Sequence, residues 1–109
     1  MFVKVYRYRI PPEKTDKVLA IQRRVDQLYK KHIHYRVVIL RSKKDPNLWL
    51  EIHWYPNEES YRHGMELINA EPMVCQLWHE FQPNLDPNDS TIYEEYYEQL
   101  WFEDSLSTK

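Results

Sequence analysis

The sequence predicts an α+β fold in which strands and helices alternate as β-α-β-β-α-β, the ferredoxin-like arrangement with an antiparallel sheet. Three observations predict it. Residues 47–55, NLWLEIHWY, alternate between two distinct faces before Pro56 stops the strand. Two stretches of helical apolar spacing are separated by a pair of strands, and a tyrosine-rich stretch near the C-terminus supplies a fourth strand. At 109 residues the chain suits a single domain over 1–109, with 103–109 expected to be a flexible tail.

Residues 2–10 alternate Phe2, Lys4, Tyr6, Tyr8 and Ile10 against Val3, Val5, Arg7 and Arg9, a strand with both faces occupied, and Pro11-Pro12 ends it. Thr15 or Asp16 is the expected cap of the first helix, whose stripe is Val18, Ile21, Val25, Leu28 and Tyr29. Residues 35–42, YRVVILRS, form a second strand, and the short turn 43–47 makes strands two and three a hairpin. In strand three, Leu48, Leu50, Ile52 and Trp54 read as plain core. Trp49, Glu51, His53 and Tyr55 read as the lining of a cavity. Asn57 caps the second helix, with Glu58 and Glu59 in its first turn; the helix breaks at 70–72 and restarts on Pro72. Val74, Leu77, Trp78 and Phe81 extend its stripe, and 83–90 is irregular. Residues 91–101, TIYEEYYEQLW, fit a strand or a helix; tyrosine density and the sheet's need for a fourth strand favour the strand.

This topology has strand order 4-1-3-2 with both helices on one face. Strand one is then beside strand four, bringing Lys4, Arg7 and Arg9 towards Glu94, Glu95 and Glu98. Residues 1–44 carry +10 and residues 45–109 carry −12, so the halves neutralise each other across neighbouring strands. The basic residues are scattered and no RNA-binding motif is present, so nucleic acid is not an expected partner. No run reaches the roughly 18 apolar residues of a membrane span, and no export signal is visible. One cysteine, Cys75, rules out an intramolecular disulfide and makes the cytoplasm the expected compartment; it reads as a buried small hydrophobe. With helices on one face and strands apolar on both, a lone sheet would leave a wet aromatic face, which predicts a homodimer.

His53 and Glu51 project from the same face of strand three. His53 suits a base that removes a phenolic proton, leaving an anion that oxygen attacks, and Glu51 suits a partner that orients it. The structural alternative pairs Glu51 with Arg7 or Arg36 and leaves His53 a satisfied interface residue. Trp49, Tyr55, Tyr6 and Tyr8 suit stacking on a flat aromatic ligand, or plain core. Arg7, if turned inward, would hold an anionic oxygen. His32 and His34 lack further ligands at a recognised spacing, so no metal site is expected.

The stretches VYRYRIPPEKTDKVL, LWLEIHWYPNEESYRHG and IYEEYYEQL together resemble the dimeric α/β barrel superfamily, and within it the antibiotic-biosynthesis-monooxygenase-like proteins. The resemblance spans roughly residues 2–100. Glu51, Trp54 and Asn57-Glu58-Glu59 match the family's strand-three acid, aromatic and polar helix start. Pro12-Glu13 replaces its Pro-Gly turn, and its helix-borne histidine falls at Gly64, with His63 one place away. The resemblance implies a homodimeric barrel with a pocket in each protomer, and oxidation of small aromatic or quinol-type substrates by oxygen with no cofactor. The alternative is a non-catalytic, ligand-binding or stress-related dimer. In that frame His53, Glu51 and Arg7 are the catalytic candidates, and Trp49, Tyr55, His63 and Trp78 the substrate-binding ones. Haem degradation is not expected, because Arg7 and His63 do not match that branch; His79 is the only candidate haem ligand.

Overall fold

β3 (Leu48–Tyr55) is central because its alternation gives both its neighbours an apolar partner. In the computed structural model, which describes residues 1–106, it lies between β2 (Arg36–Arg41) and β1 (Phe2–Arg9), and β4 (Tyr93–Glu98) flanks β1. The order β2-β3-β1-β4, antiparallel throughout, is the predicted one read from the other edge. A 3-10 turn over Pro12–Lys14 leads into α1 (Thr15–Lys30), and α2 (Glu58–Asn69) and α3 (Pro72–Phe81) form the second crossover. α2 begins as its sequence requires: Asn57 Oδ1 accepts from the Ser60 amide at 2.7 Å. Proline at the start of α3 gives up only an amide that has no partner in a first turn. The expected cap at Thr15 or Asp16 is not made. The 3-10 turn delivers the chain already helical, and Thr15 Oγ1 donates to the Pro12 carbonyl at 2.7 Å.

The core lies between the helices and the sheet face that bears Tyr8, Ile10, Trp49 and Tyr55, packed against Val18, Ile21, Leu28, Ile68, Leu77 and Phe81. This corrects the expected division of β3. The helices cover Trp49, Glu51, His53 and Tyr55, all buried, while Leu48, Leu50, Ile52 and Trp54 are half-buried on the helix-free face. The pattern identified two faces, but a strand apolar on both gives no sign of which the helices take. Cys75 is also corrected: it is exposed on the outer side of α3, because the inward stripe of that helix is Val74, Leu77, Trp78 and Phe81.

The charge pairing across β1 and β4 holds for Lys4 with Glu94 at 2.8 Å and Arg7 with Glu95 at 3.7 Å. Arg9 pairs instead with Asp45 at 2.7 Å and Asp89 at 3.7 Å, since β4 ends its pairing at Arg7. Residues 99–106 follow β4 without regular structure, and the remainder of the expected tail, 107–109, lies outside the described residues.

The single glycine is placed by packing. A Cβ on Gly64, in the interior of α2, would sit 2.6 Å from Ile33 Cδ1 and 3.0 Å from its Cγ1, with Ile33 itself buried. Alanine is the better helix former by about 1 kcal/mol, yet overpacking here outweighs it. Gly64→Ala should lower unfolding stability by about 1–3 kcal/mol in denaturant titration. Adding Ile33→Val, which removes Cδ1, should recover part of the loss. A higher midpoint in Gly64→Ala alone would show that the contact yields freely.

Candidate functional site

Glu51, His53 and Tyr55 occupy alternate positions of β3, so their side chains line up along the strand under the helices. His53 Nε2 is 2.6 Å from Glu51 Oε2, and His53 Nδ1 is 2.7 Å from the Tyr55 hydroxyl. From β1, Tyr8 donates its hydroxyl to Glu51 Oε1 at 2.7 Å; from α1, the Gln22 amide donates to the same oxygen at 3.1 Å and to Tyr8 at 3.3 Å. A carboxylate only accepts, so His53 Nε2 donates to Glu51, while the fully buried Tyr55 hydroxyl engages the other ring nitrogen.

This line borders a cavity of about 320 Å³ between the sheet and the helices. Tyr6, Tyr8, Glu51 and His53 form its floor; Gln22 and Tyr29 from α1, Asn69 from α2, and Leu77, Trp78 and Phe81 from α3 form its walls, with Glu94 of β4 at the side. The aromatic rings enclose the imidazole: the Tyr6 and Tyr29 centroids are 5.2 and 5.9 Å from that of His53. Burial pushes the Tyr29 phenol up to about 12. Burial raises Tyr6 and Tyr8 further, with the nearby Glu51 carboxylate adding to both. These phenols are therefore neutral donors at physiological pH. Lys4, opposite His53 in register, is buried and does not line the cavity; its ammonium donates to Tyr61 at 2.9 Å and pairs with Glu94. Burial works against its charge, but Tyr6, Glu94 and Tyr61 outweigh it and hold its pKa above the ordinary lysine value.

Of the residues the sequence singled out, Tyr6, Tyr8, Glu51, His53 and Trp78 meet at the cavity. Tyr55 stands behind His53, and Trp49 is core, its indole nitrogen without a hydrogen-bond partner among the described residues. Arg7 projects from the opposite face of the sheet, because its neighbours Tyr6 and Tyr8 face the helices; it holds no oxygen in this cavity. His63 is exposed on α2, the next position, Gly64, being the one that turns inward, and His79 is exposed on α3. Among the described residues, the alternative pairing of Glu51 with Arg7 or Arg36 is not formed; Arg7 meets Glu95 and Arg36 lies over the Trp54 ring. Gln22, Tyr29, Asn69 and Glu94 are added by the structure. Gln22 had a readable signal, as a polar residue at helical spacing from Val18, Val25 and Tyr29. His32 bonds Glu71 at 2.7 Å, and among the described residues no group of three His, Cys, Asp or Glu side chains is placed to hold a metal.

No family model matches the chain, and no curated protein does. Solved structures do. SnoaB, a cofactor-independent oxygenase from Streptomyces nogalater, is similar over 93% of this chain and 94% of its own, with 14% identity and a TM-score of 0.67. An antibiotic biosynthesis monooxygenase is similar over 92% and 99%, at 17% identity and a TM-score of 0.67. An uncharacterised NIPSNAP domain protein from Burkholderia xenovorans is similar over 96% and 100%, at 17% identity and a TM-score of 0.75. The chain has the fold these proteins share.

The buried phenols carry a pH signature. Tyr6, Tyr8, Tyr29, Tyr35 and Tyr55 are all raised by burial, so the stability they contribute is complete below an unfolded-state pKa of about 10 and is lost as pH rises above it. In an alkaline titration, their tyrosinate absorbance should appear together with loss of the circular dichroism signal. Ionisation of every tyrosine near pH 10 with the fold intact would contradict the burial described.

Proposed function

We propose that this chain is a cofactor-independent monooxygenase of a small aromatic or quinol-type substrate, working as a homodimer. The observation that carries the reading is the Glu51–His53 pair on the floor of an aromatic cavity large enough for a fused-ring ligand. SnoaB, with the same fold, supplies the reaction class. His53 Nδ1 takes the phenolic proton once the Tyr55 hydroxyl turns away from it, and Glu51 holds the resulting imidazolium through Nε2. The substrate anion then reduces oxygen. One oxygen atom becomes a ring carbonyl, the other leaves as water, and the carbon that gives up two hydrogens provides the electrons. The rings of Tyr6, Tyr29 and Trp78 hold the flat substrate, and Arg7 has no part in this scheme.

One observation favours the second reading, a binding dimer without turnover. Both imidazole nitrogens are already engaged, at 2.6 and 2.7 Å, as in a satisfied buried network. Oxygen consumption with a panel of quinols and polycyclic phenols, run beside thermal melting, separates the two. Turnover should fall roughly 100-fold or more in His53→Ala and persist in Cys75→Ala, which is exposed and outside the cavity. A ligand present at 100 times its Kd adds about 2.7 kcal/mol of stability. That stabilisation with no oxygen uptake leaves the binding dimer.

The helix-free face supports the homodimer: there Val38, Leu40, Tyr93 and Tyr97 are between 37% and 53% exposed beside the half-buried Leu50, Ile52 and Trp54. An apolar face of this extent is covered in most soluble proteins, and two-fold pairing of identical sheets covers it. With a reduced Cys75, a cytoplasmic dimer is the consistent form. Sedimentation should give twice the chain mass of 13.5 kDa, and Leu40→Lys should shift it to the monomer. A monomeric wild type would remove the dimer from the proposal.

A further inference from the structure

Gln22 carries hydrogen-bonding capacity that the buried network does not use. It reaches the cavity from α1, and its side-chain nitrogen donates to Glu51 Oε1 at 3.1 Å and to the Tyr8 hydroxyl at 3.3 Å. These contacts orient the amide. A carboxylate only accepts, so the nitrogen faces Glu51 and the carbonyl oxygen, on the other arm of the amide, is directed away from it. The orientation holds whether His53 carries one ring proton or two. In either form His53 Nε2 donates to Glu51 Oε2 and leaves Oε1 to Tyr8 and Gln22. Among the described residues Gln22 Oε1 accepts no hydrogen bond, and it is not one of the buried unpaired oxygens, so it stays open on a residue that lines the cavity. Gln22 and His53 meet different oxygens of the same carboxylate. A ligand that reaches both therefore spans the carboxylate, and its two polar groups lie on separated ring positions, not on neighbouring carbons.

We infer that Gln22 determines specificity: its carbonyl accepts a hydrogen bond from a second hydroxyl of the ligand, so the cavity selects an aromatic diol with separated hydroxyls over the mono-ol or its methyl ether. This rests on the cavity being the site where the ligand's first hydroxyl meets His53, and it deepens that reading by naming the substrate class. The selection comes from what an unmatched ligand leaves behind. A bound flat ring displaces water from a cavity walled by Val25, Leu28, Leu77 and Phe81, which offer no donor. The diol then pairs the Gln22 carbonyl, whereas a methoxy group or a bare ring edge leaves it dry and unpaired.

The test compares 2,6-dihydroxynaphthalene, 6-methoxy-2-naphthol and 2-naphthol by titration calorimetry with the full chain, under nitrogen at neutral pH. All three keep one hydroxyl for His53, and 2-naphthol guards against a steric effect of the methyl group. The diol should bind about 10-fold tighter than either of the others. Gln22→Met keeps the reach of the side chain and removes the carbonyl. It should bring the diol down to the affinity of the ether while leaving the ratio of ether to 2-naphthol unchanged. Gln22→Asn retracts the carbonyl by one methylene and should collapse the preference in the same way, which covers the case in which Gln22→Met fails to fold. An equal loss for all three ligands in the variants assigns Gln22 a structural part alone and overturns the inference. A wild type that binds the ether as tightly as the diol overturns it too. Oxygen uptake from phenols with no diol preference overturns it and leaves the oxygenase reading standing. If none of the three binds, it falls together with the cavity reading on which it rests.

Discussion

The interior of this protein depends on keeping a carboxylate dry. Glu51 lies in the middle of β3 on the face that the helices cover, where an ion without partners would cost more than the surrounding packing returns. The chain meets this with donors from three elements: Tyr8 from β1, Gln22 from α1, and His53 two residues along the same strand. Each donor is in turn held by something else. Tyr8 packs edge-on against Phe81 of α3, and Tyr55 locks the imidazole from behind while its ring stacks with that of Tyr35. The polar line and the aromatic core are therefore one assembly, and the antiparallel register that sets Tyr6 beside Glu51 and Lys4 beside His53 fixes both.

The cavity is a consequence of the same arrangement. Polar side chains that satisfy one another along the sheet line its floor, and aromatic rings from α1 and α3 close round the space without filling it. The α2–α3 break at Ala70–Glu71 helps, since restarting the helix at Pro72 turns Val74, Leu77 and Trp78 towards the sheet, with Trp78 left 44% exposed at the cavity wall.

The two sheet faces divide the molecule's tasks. One face takes the helices, the buried network and the cavity. The other presents aliphatic residues flanked by Arg36, whose guanidinium lies 5.8 Å from the Trp54 ring centroid and 5.9 Å from that of Phe102. The opposed net charges of the two halves of the chain are largely a within-molecule matter, as the Lys4–Glu94, Arg9–Asp45 and Arg24–Glu80 pairs illustrate.

Local pattern determined a good deal by itself. Period-two alternation and helical spacing marked three of the strands, the Asn57 cap and the break before Pro72, because these features depend on neighbours within a few residues; β4 fits either period and is placed by its tyrosine density and the sheet's need for a fourth strand. Alternation also paired Glu51 with His53 on one face and separated Arg7 from Tyr6 and Tyr8. The tertiary structure decided the remainder. Which face of β3 meets the helices depends on how two crossovers pack, and both faces were apolar enough to serve. Which residues join Glu51 depends on contacts between elements far apart in sequence: Gln22, Tyr29, Asn69 and Glu94 come together only when α1, α2 and β4 converge on β1 and β3. The inward position on α2 went to Gly64 rather than His63 for a similar reason, since only a residue without a side chain fits against Ile33. Sequence periodicity orients a side chain about its own element; the neighbours it meets are fixed by the packing of all the elements at once.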